Sequence, residues 1–155
     1  ASEILDPLNI CNEISKTLHD KAQYKNISIN IHGSLTKFTG NYRYFYEIIF
    51  NLTDNAIKYG KEHGHVNIEL QEEDGNKVIM VEDDGPGISQ EDQQRIFERF
   101  YRVDKSHSRR NEGTGLGLSI VKRAAKFFGG DVSVKSQIGK GTCFKVVIPA
   151  SKQNI

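Results

Sequence analysis

The stretch GTGLGLSIVKRAAKFFGG, residues 113–130, sets glycines at 113, 115 and 117 and then runs directly into apolar residues at helical spacing. A glycine inside a helix costs about 1 kcal/mol relative to alanine, so three at alternate positions do not serve helix stability. They bare the backbone where a helix begins. The first turn of a helix carries unpaired N–H groups and a partial positive charge, so an anion brought close by the missing side chains is one reading. A glycine-rich turn that merely precedes a helix is the other, and the stretch alone serves both equally.

The rest of the chain limits what that anion could belong to. The chain has 155 residues, and one domain, 1–155, is expected, since a chain of this size buries about 70% of its unfolded surface, enough for a core. Twenty-one basic against twenty acidic residues leave a net charge of +1. That balance argues against a general nucleic-acid or membrane-surface role and makes any polyanion site local. Cys11 and Cys143 have no metal-ligand spacing and read as structural thiols of a reduced compartment. No apolar run approaches the ~18 residues of a membrane span, and the N-terminal residues lack the charged and apolar regions of a signal peptide. A soluble cytoplasmic protein is therefore expected. With Ala1 first and Met80 the single methionine, the expectation is an excised domain of a longer protein.

Periodicity gives the elements. PLNICNEISKTLHDKAQY, after Asp6, places Leu8, Cys11, Ile14 and Leu18 on one side of a helix. ISINI, 27–31, alternates as a strand. NYRYFYEIIFNLTDNAIKYG predicts a long helix from Tyr42 to Tyr59 closed by Gly60, and HVNIELQEEDGNKVIMVEDDG predicts two strands joined at Asp74-Gly75. SQEDQQRIFERF reads as a helix capped by Ser89, and YRVDKSHSRRNEG as a charged loop without apolar period. The loop from 103 to 112 is expected to be poorly ordered without a ligand, because it has few apolar anchors. The helix of the opening stretch follows, and DVSVKS and TCFKVVIP close the chain as two strands around Gly139–Gly141. Helices and hairpins interleave without regular βα alternation. The expected fold is a two-layer α/β sandwich, a mixed sheet packed against about three helices.

Three constellations carry chemistry. On the long helix, Phe45, Ile48, Ile49, Leu52 and Ala56 form the core face, and Glu47, Asn51, Asn55 and Lys58 fall in a band beside it. Most amphipathic helices have such a polar flank, yet asparagine is a poor helix former, and a carboxamide oxygen can complete a Mg²⁺ shell of phosphates and water. In VEDDGPGI, Asp83 ends a strand before Gly85-Pro86-Gly87, which suits a tight turn or a flat ring whose amino group meets the carboxylate. Arg99, Arg102, Lys105, Arg109 and Arg110 form either a solvated basic loop or a lid over phosphates. Neither a P-loop nor a dinucleotide fingerprint is present.

As a set these segments resemble the catalytic ATP-binding domain of bacterial sensor histidine kinases, in the superfamily of DNA gyrase, the Hsp90 chaperones and MutL. NLTDNAIKY is similar to the asparagine box, DDGPG to the first glycine box, IFERFYR to the phenylalanine box, GTGLGLSIVK to the second glycine box and GKGT to the final glycine turn. The resemblance spans nearly the whole chain. It implies the Bergerat-type ATP-binding fold, ATP and Mg²⁺ as cofactors, and a nucleotide held between helices and a lid. By it, Asn55 would be the Mg²⁺ ligand, with Asn51 beside it near the phosphates. Lys58 and Tyr59 would line the nucleotide, and Asp83 would bind the adenine amino group, with Gly85, Gly87 and Ile88 around it. Arg102 would reach the phosphates next to Tyr101, and Asn55, Lys58 and Arg102 would form the catalytic set. Gly113, Thr114, Gly115, Leu116, Gly117 and Leu118 would form the lid hinge and the phosphate-facing helix start.

The same resemblance separates reaction classes. The hydrolytic members, and the anti-sigma-factor serine kinases, carry a glutamate where this chain has Asn51, and an amide is no general base. Slow hydrolysis and transfer to a histidine are therefore implied, with positioning and charge neutralisation as the domain's contribution. A stand-alone ATPase or serine/threonine kinase and a degenerate protein-binding module are the alternatives. The family's phosphoacceptor motif, His followed by an acidic residue and then a Thr/Asn-Pro pair, has no match: His19-Asp20 continues KAQY without the proline, and no acidic residue follows His32, His63, His65 or His107. The implied partners are the dimerisation and phosphoacceptor helices of a homodimeric, membrane-bound parent kinase and a downstream response regulator. Nucleic acid and direct membrane contact are not expected, and the fragment is expected to be monomeric.

Overall fold

The computed structural model describes residues 1–103 and 115–150. In chain order the elements are β1 (Glu3–Leu5), α1 (Pro7–Thr17), α2 (His19–Tyr24), β2 (Ser28–Gly33), β3 (Phe38–Gly40), α3 (Tyr42–Tyr59), β4 (His65–Glu73), β5 (Asn76–Asp83), α4 (Gln90–Gln93), α5 (Gly117–Phe127), β6 (Asp131–Gln137) and β7 (Gly141–Ile148).

α3 organises the helical layer. Asn41 caps it, its Oδ1 accepting the Tyr44 N–H at 3.0 Å, and Phe45, Ile48, Ile49, Leu52, Ala56 and Ile57 are each at most 2% exposed. α5 packs alongside α3, burying Val121, Ala124 and Ala125. The first helix departs from expectation. It breaks at Leu18 into α1 and α2, where Thr17 Oγ1 donates to the Glu13 carbonyl at 3.0 Å, a back-bond that bends helices. Leu18 turns into the core there, at 2% exposure, whereas Leu8 is 39% exposed and Ile10 takes its place on the buried face.

Five strands form a sheet in the order β2-β4-β5-β7-β6, with β2 and β4 parallel and the remaining pairs antiparallel. The parallel pair flanks α3 in sequence, and each antiparallel pair flanks a hairpin or the α5 layer, which makes the sheet mixed as expected. The β4–β5 hairpin turns at Asp74-Gly75, with φ of 53° and 83°, the positive pair that matches strand twist. One sheet face is apolar: Val66, Ile68, Leu70, Ile79, Val81, Phe144, Val146 and Ile148 join the helices in the core. The alternating positions include Asn67, Glu69, Gln71, Lys135 and Lys145. The mixed sheet under one helical layer is the α/β sandwich the sequence predicts.

Two further differences have local causes. β1 and β3 pair as a separate two-stranded sheet, and strands so short show no periodicity. The helix expected over SQEDQQRIFERF is capped by Ser89 as predicted but covers only Gln90–Gln93. Tighter turns follow, Arg95 N–H to Asp92 O, Glu98 N–H to Arg95 O and Tyr101 N–H to Glu98 O. Along these turns Ile96 is buried and Phe97 packs against the core at Phe144, while Arg95, Glu98, Arg99 and Phe100 stay exposed.

Candidate functional site

The C-terminal half of α3, the end of β5, the start of α5 and the 86–88 and 96–103 segments enclose a cavity of about 730 Å³. Its size suits a small-molecule ligand. Ile88, Ile96, Leu116, Leu118, Ile120 and Phe144 give it apolar walls, and Asn51, Asn55, Lys58, Asp83 and Arg102 supply the polar groups.

Asp83 closes β5 at 6% exposure. Its Oδ1 accepts the Gly85 N–H at 2.8 Å. Burial pushes its carboxyl up from 3.8 to about 6, helped by Asp84 and Glu82 and opposed by the Gly85 N–H. Gly85 itself stands behind the wall rather than on it. A side chain there would lie 2.7 Å from the Tyr59 carbonyl and 2.9 Å from Asp83 Oδ1, so the bare backbone lets the Asp83 turn pack on the end of α3. Across the sheet Asp83 pairs with Thr142, which also lines the cavity and whose Oγ1 is 2.8 Å from Ser136 Oγ. Ser136 Oγ accepts the Ile88 N–H at 2.7 Å and Gln93 Nε2 donates to the Ile88 carbonyl at 2.8 Å, which fixes the 86–88 turn beside the carboxylate.

Along α3, Asn51 donates from Nδ2 to the Glu47 carbonyl at 2.8 Å. Its Oδ1 is therefore left to the α5 side, where a Cβ on Gly117 would be 3.4 Å away. Asn55 and Lys58 follow on the same wall. The Lys58 ammonium pairs with Asp54 Oδ2 at 3.2 Å, and Lys21 takes Asp54 Oδ1 at 3.2 Å. Asp54, Thr142 and Lys25 line the cavity without having stood out in the sequence. Asp54 and Lys58 are four apart on a helix, a spacing that could have flagged the pair, whereas Thr142 is brought in by strand register and Lys25 by the fold.

The third wall is the base of the basic loop. Tyr101 and Arg102 line the cavity. The Tyr101 hydroxyl donates to Asp92, and the Arg95 guanidinium lies 4.5 Å from the Tyr101 ring centre. The Phe100 N–H donates to the Gly115 carbonyl at 2.7 Å, joining the two ends of the loop. Gly115 has φ of 76°, and a side chain on it would lie 2.6 Å from Phe100 Cα. From this neck α5 starts at Gly117, and among the described residues no side chain caps its first turn. Gly113, Thr114, Lys105, Arg109 and Arg110, and the expected loop mobility, lie outside the described residues. Of the other expected site residues all but Gly85 and the exposed Arg99 line the cavity: Asn51, Asn55, Lys58, Tyr59, Asp83, Gly87, Ile88, Tyr101, Arg102, Gly115, Leu116, Gly117 and Leu118.

The cavity has a direction. The Asp83 turn abuts Tyr59 and the α5 N-terminus abuts Asn51, and eight residues of helix separate these points by ~12 Å. A carboxylate stands at one end and a helix N-terminus at the other.

A family model described as "Histidine kinase-, DNA gyrase B-, and HSP90-like ATPase" matches residues 40–152, more than half of the chain. The signal transduction histidine-protein kinase ArlS of Staphylococcus aureus is 44% identical over 103 residues, 66% of this chain and 23% of ArlS. The chain thus spans under a quarter of that relative. A mycobacterial sensor histidine kinase, MprB, superposes with a TM-score of 0.82 at 25% identity over 96% of this chain and 97% of the other. Full-length ShkA in complex with AMPPNP superposes with a TM-score of 0.83 at 29% identity over 96% of this chain and 31% of the other.

Proposed function

The chain belongs to the histidine kinase-, DNA gyrase B- and HSP90-like ATPase family, as the ATP-binding domain of a sensor histidine kinase, and we propose that it presents Mg-ATP for phosphoryl transfer to a histidine on another domain of its parent kinase. The observation that carries the reading is the polarity of the cavity along α3. Adenine fits between the apolar walls with its amino group donating to Asp83, and the phosphates extend toward Asn51, the N–H groups of Gly117 and Leu118, and Arg102.

The donor set fits Mg²⁺. One carboxamide oxygen, from Asn55, suits a cation that keeps most of its shell as water and phosphate oxygen. When bound with the nucleotide, Mg²⁺ would neutralise developing phosphate charge. The chain's own residues do the rest: Asp83 and Tyr59 fix the base, and Lys58, steered by Asp54, and Arg102 steady the phosphates. Asn51 stands where a hydrolytic enzyme needs a base and cannot serve as one. Positioning and charge are the domain's contribution, and the acceptor histidine's own domain supplies proton removal. The parent's dimerisation helices, a response regulator and a cytoplasmic location belong to the same reading.

Labelled ATP tests it. With the phosphoacceptor domain of the parent present, the γ-phosphoryl group should move to histidine, and Asn55→Ala should abolish transfer, while the chain alone hydrolyses ATP only slowly. Fast hydrolysis by the isolated chain, lost in Asn55→Ala, would favour a stand-alone ATPase instead.

A further inference from the structure

We infer that Lys25 is a positioning residue for the base end of the nucleotide site, holding the last turn of α3 against the turn that carries Asp83. The inference rests on the reading of this cavity as an adenine-nucleotide site. Helices leave their last carbonyls without intrahelical partners, and a residue in the left-handed region commonly closes them. α3 ends otherwise, since Gly60 is extended, with φ of −70° and ψ of 164°. The partner comes from outside the helix. Lys25, in the turn between α2 and β2, sends its ammonium to the Ile57 carbonyl at 3.0 Å and the Lys58 carbonyl at 2.8 Å. A cation at a helix C-terminus is favourable on both hydrogen-bond and dipole grounds.

Lys25 is itself held. Its carbonyl accepts the His63 N–H at 2.9 Å and its own N–H donates to the Ala22 carbonyl at 3.1 Å, so the turn is tied to the segment that follows α3 and to the end of α2. The side chain is half-buried and lines the cavity. The next carbonyl of α3, that of Tyr59, is the one Gly85 packs upon, and the Gly85 N–H holds Asp83 Oδ1. One run of contacts therefore leads from the Lys25 ammonium through the end of α3 to the carboxylate that meets the base. Loss of the ammonium frees the last turn of α3 and with it the position of Asp83, so the larger cost falls on recognition of the 6-amino group, with a smaller one on the phosphates through Lys58, whose carbonyl the ammonium also holds.

A cap that only stabilised the helix would lower Tm and leave base discrimination unchanged, which separates the two roles. The test is calorimetry of the full 155-residue chain with Mg-ATP and Mg-ITP, which carries oxygen in place of the 6-amino group. It is run at a temperature where circular dichroism shows each variant folded. The wild type should prefer ATP. Lys25→Met should lose about tenfold in ATP affinity, the scale of one or two charged hydrogen bonds, with a clearly smaller loss for ITP, so that the ATP-to-ITP ratio falls, and Lys25→Arg should restore the preference. If Lys25→Met does not fold, Lys25→Gln, which keeps a neutral donor, should show a reduced ATP-to-ITP ratio. An unchanged ratio in whichever of these variants folds, or an Arg variant as impaired as Met, overturns the inference. A wild type that binds neither nucleotide overturns instead the reading on which it rests.

Discussion

Asp83 is a carboxylate kept at 6% exposure with two further acids beside it in sequence, an arrangement that makes its ionisation costly before any ligand arrives. The folded carboxyl titrates near 6 rather than 3.8. Between those values the folded chain holds a proton that the unfolded chain has released, so stability falls as pH rises through this window. Above it the ionised carboxylate costs on the order of 3 kcal/mol. ATP affinity, which needs the ionised acceptor, should weaken progressively as pH drops below about 6, measured by titration at fixed ionic strength. Asp83→Asn keeps an oxygen for the Gly85 N–H but carries no charge, so the nucleotide-free variant should melt higher at pH 7.5, by about 2–4 °C for each kcal/mol relieved. A lower Tm would mean that the carboxylate serves the fold. Asp83 was legible because a strand ended on an acid before a Gly-Pro-Gly turn, but its burial and its pairing with Thr142 were not. Those depend on which strand lies beside β5.

At the scale of elements, the long periodic ones could be read from the sequence and the short ones could not. α3 and α5 bury faces that recur every three to four residues, and Asn41 supplies the first with a cap. The break at Leu18 has no Gly or Pro to announce it, since it arises from one hydroxyl back-bond and the pull of a buried leucine. α4 stops early although Ile96, Phe97 and Phe100 follow its cap at helical spacing, because the chain takes tighter turns that bring Ile96 and Phe97 to the core and leave Phe100 exposed. Truncating Leu52, fully buried on the core face of α3, to alanine should cost about 2–5 kcal/mol in chemical denaturation. Gly115→Ala should act differently, because a side chain there meets the Phe100 backbone at 2.6 Å and sits at φ of 76°. It should lower ATP affinity several-fold and cost on the order of 1 kcal/mol in stability, less than the loss of Leu52. Equal affinity with a large loss of stability would make the Phe100–Gly115 neck a structural joint alone.

The molecule as a whole is a sheet with one apolar face and a helical layer in which α3 runs on past the start of α5, its C-terminal turns lining the cavity. Alternation and the Asp74-Gly75 turn made the hairpins evident, and the lack of regular βα order made the sheet mixed. The strand order, which carries Asp83 and Thr142 to the same cavity wall, follows from pairings that no local pattern encodes. The same holds for Lys25, which is separated from its α3 partners by more than thirty positions. The glycines at 115 and 117 have distinct places: one joins the ends of the basic loop, and the other opens the helix whose N-terminus faces Asn51. The central claim is that this cavity holds ATP with its base on Asp83. It is tested most directly by calorimetry of a non-hydrolysable ATP analogue with Mg²⁺ against the wild type and Asp83→Asn at pH 7.5. The wild type should bind one equivalent and the variant at least tenfold more weakly, whereas no binding by the wild type, or equal binding by both, would contradict the account.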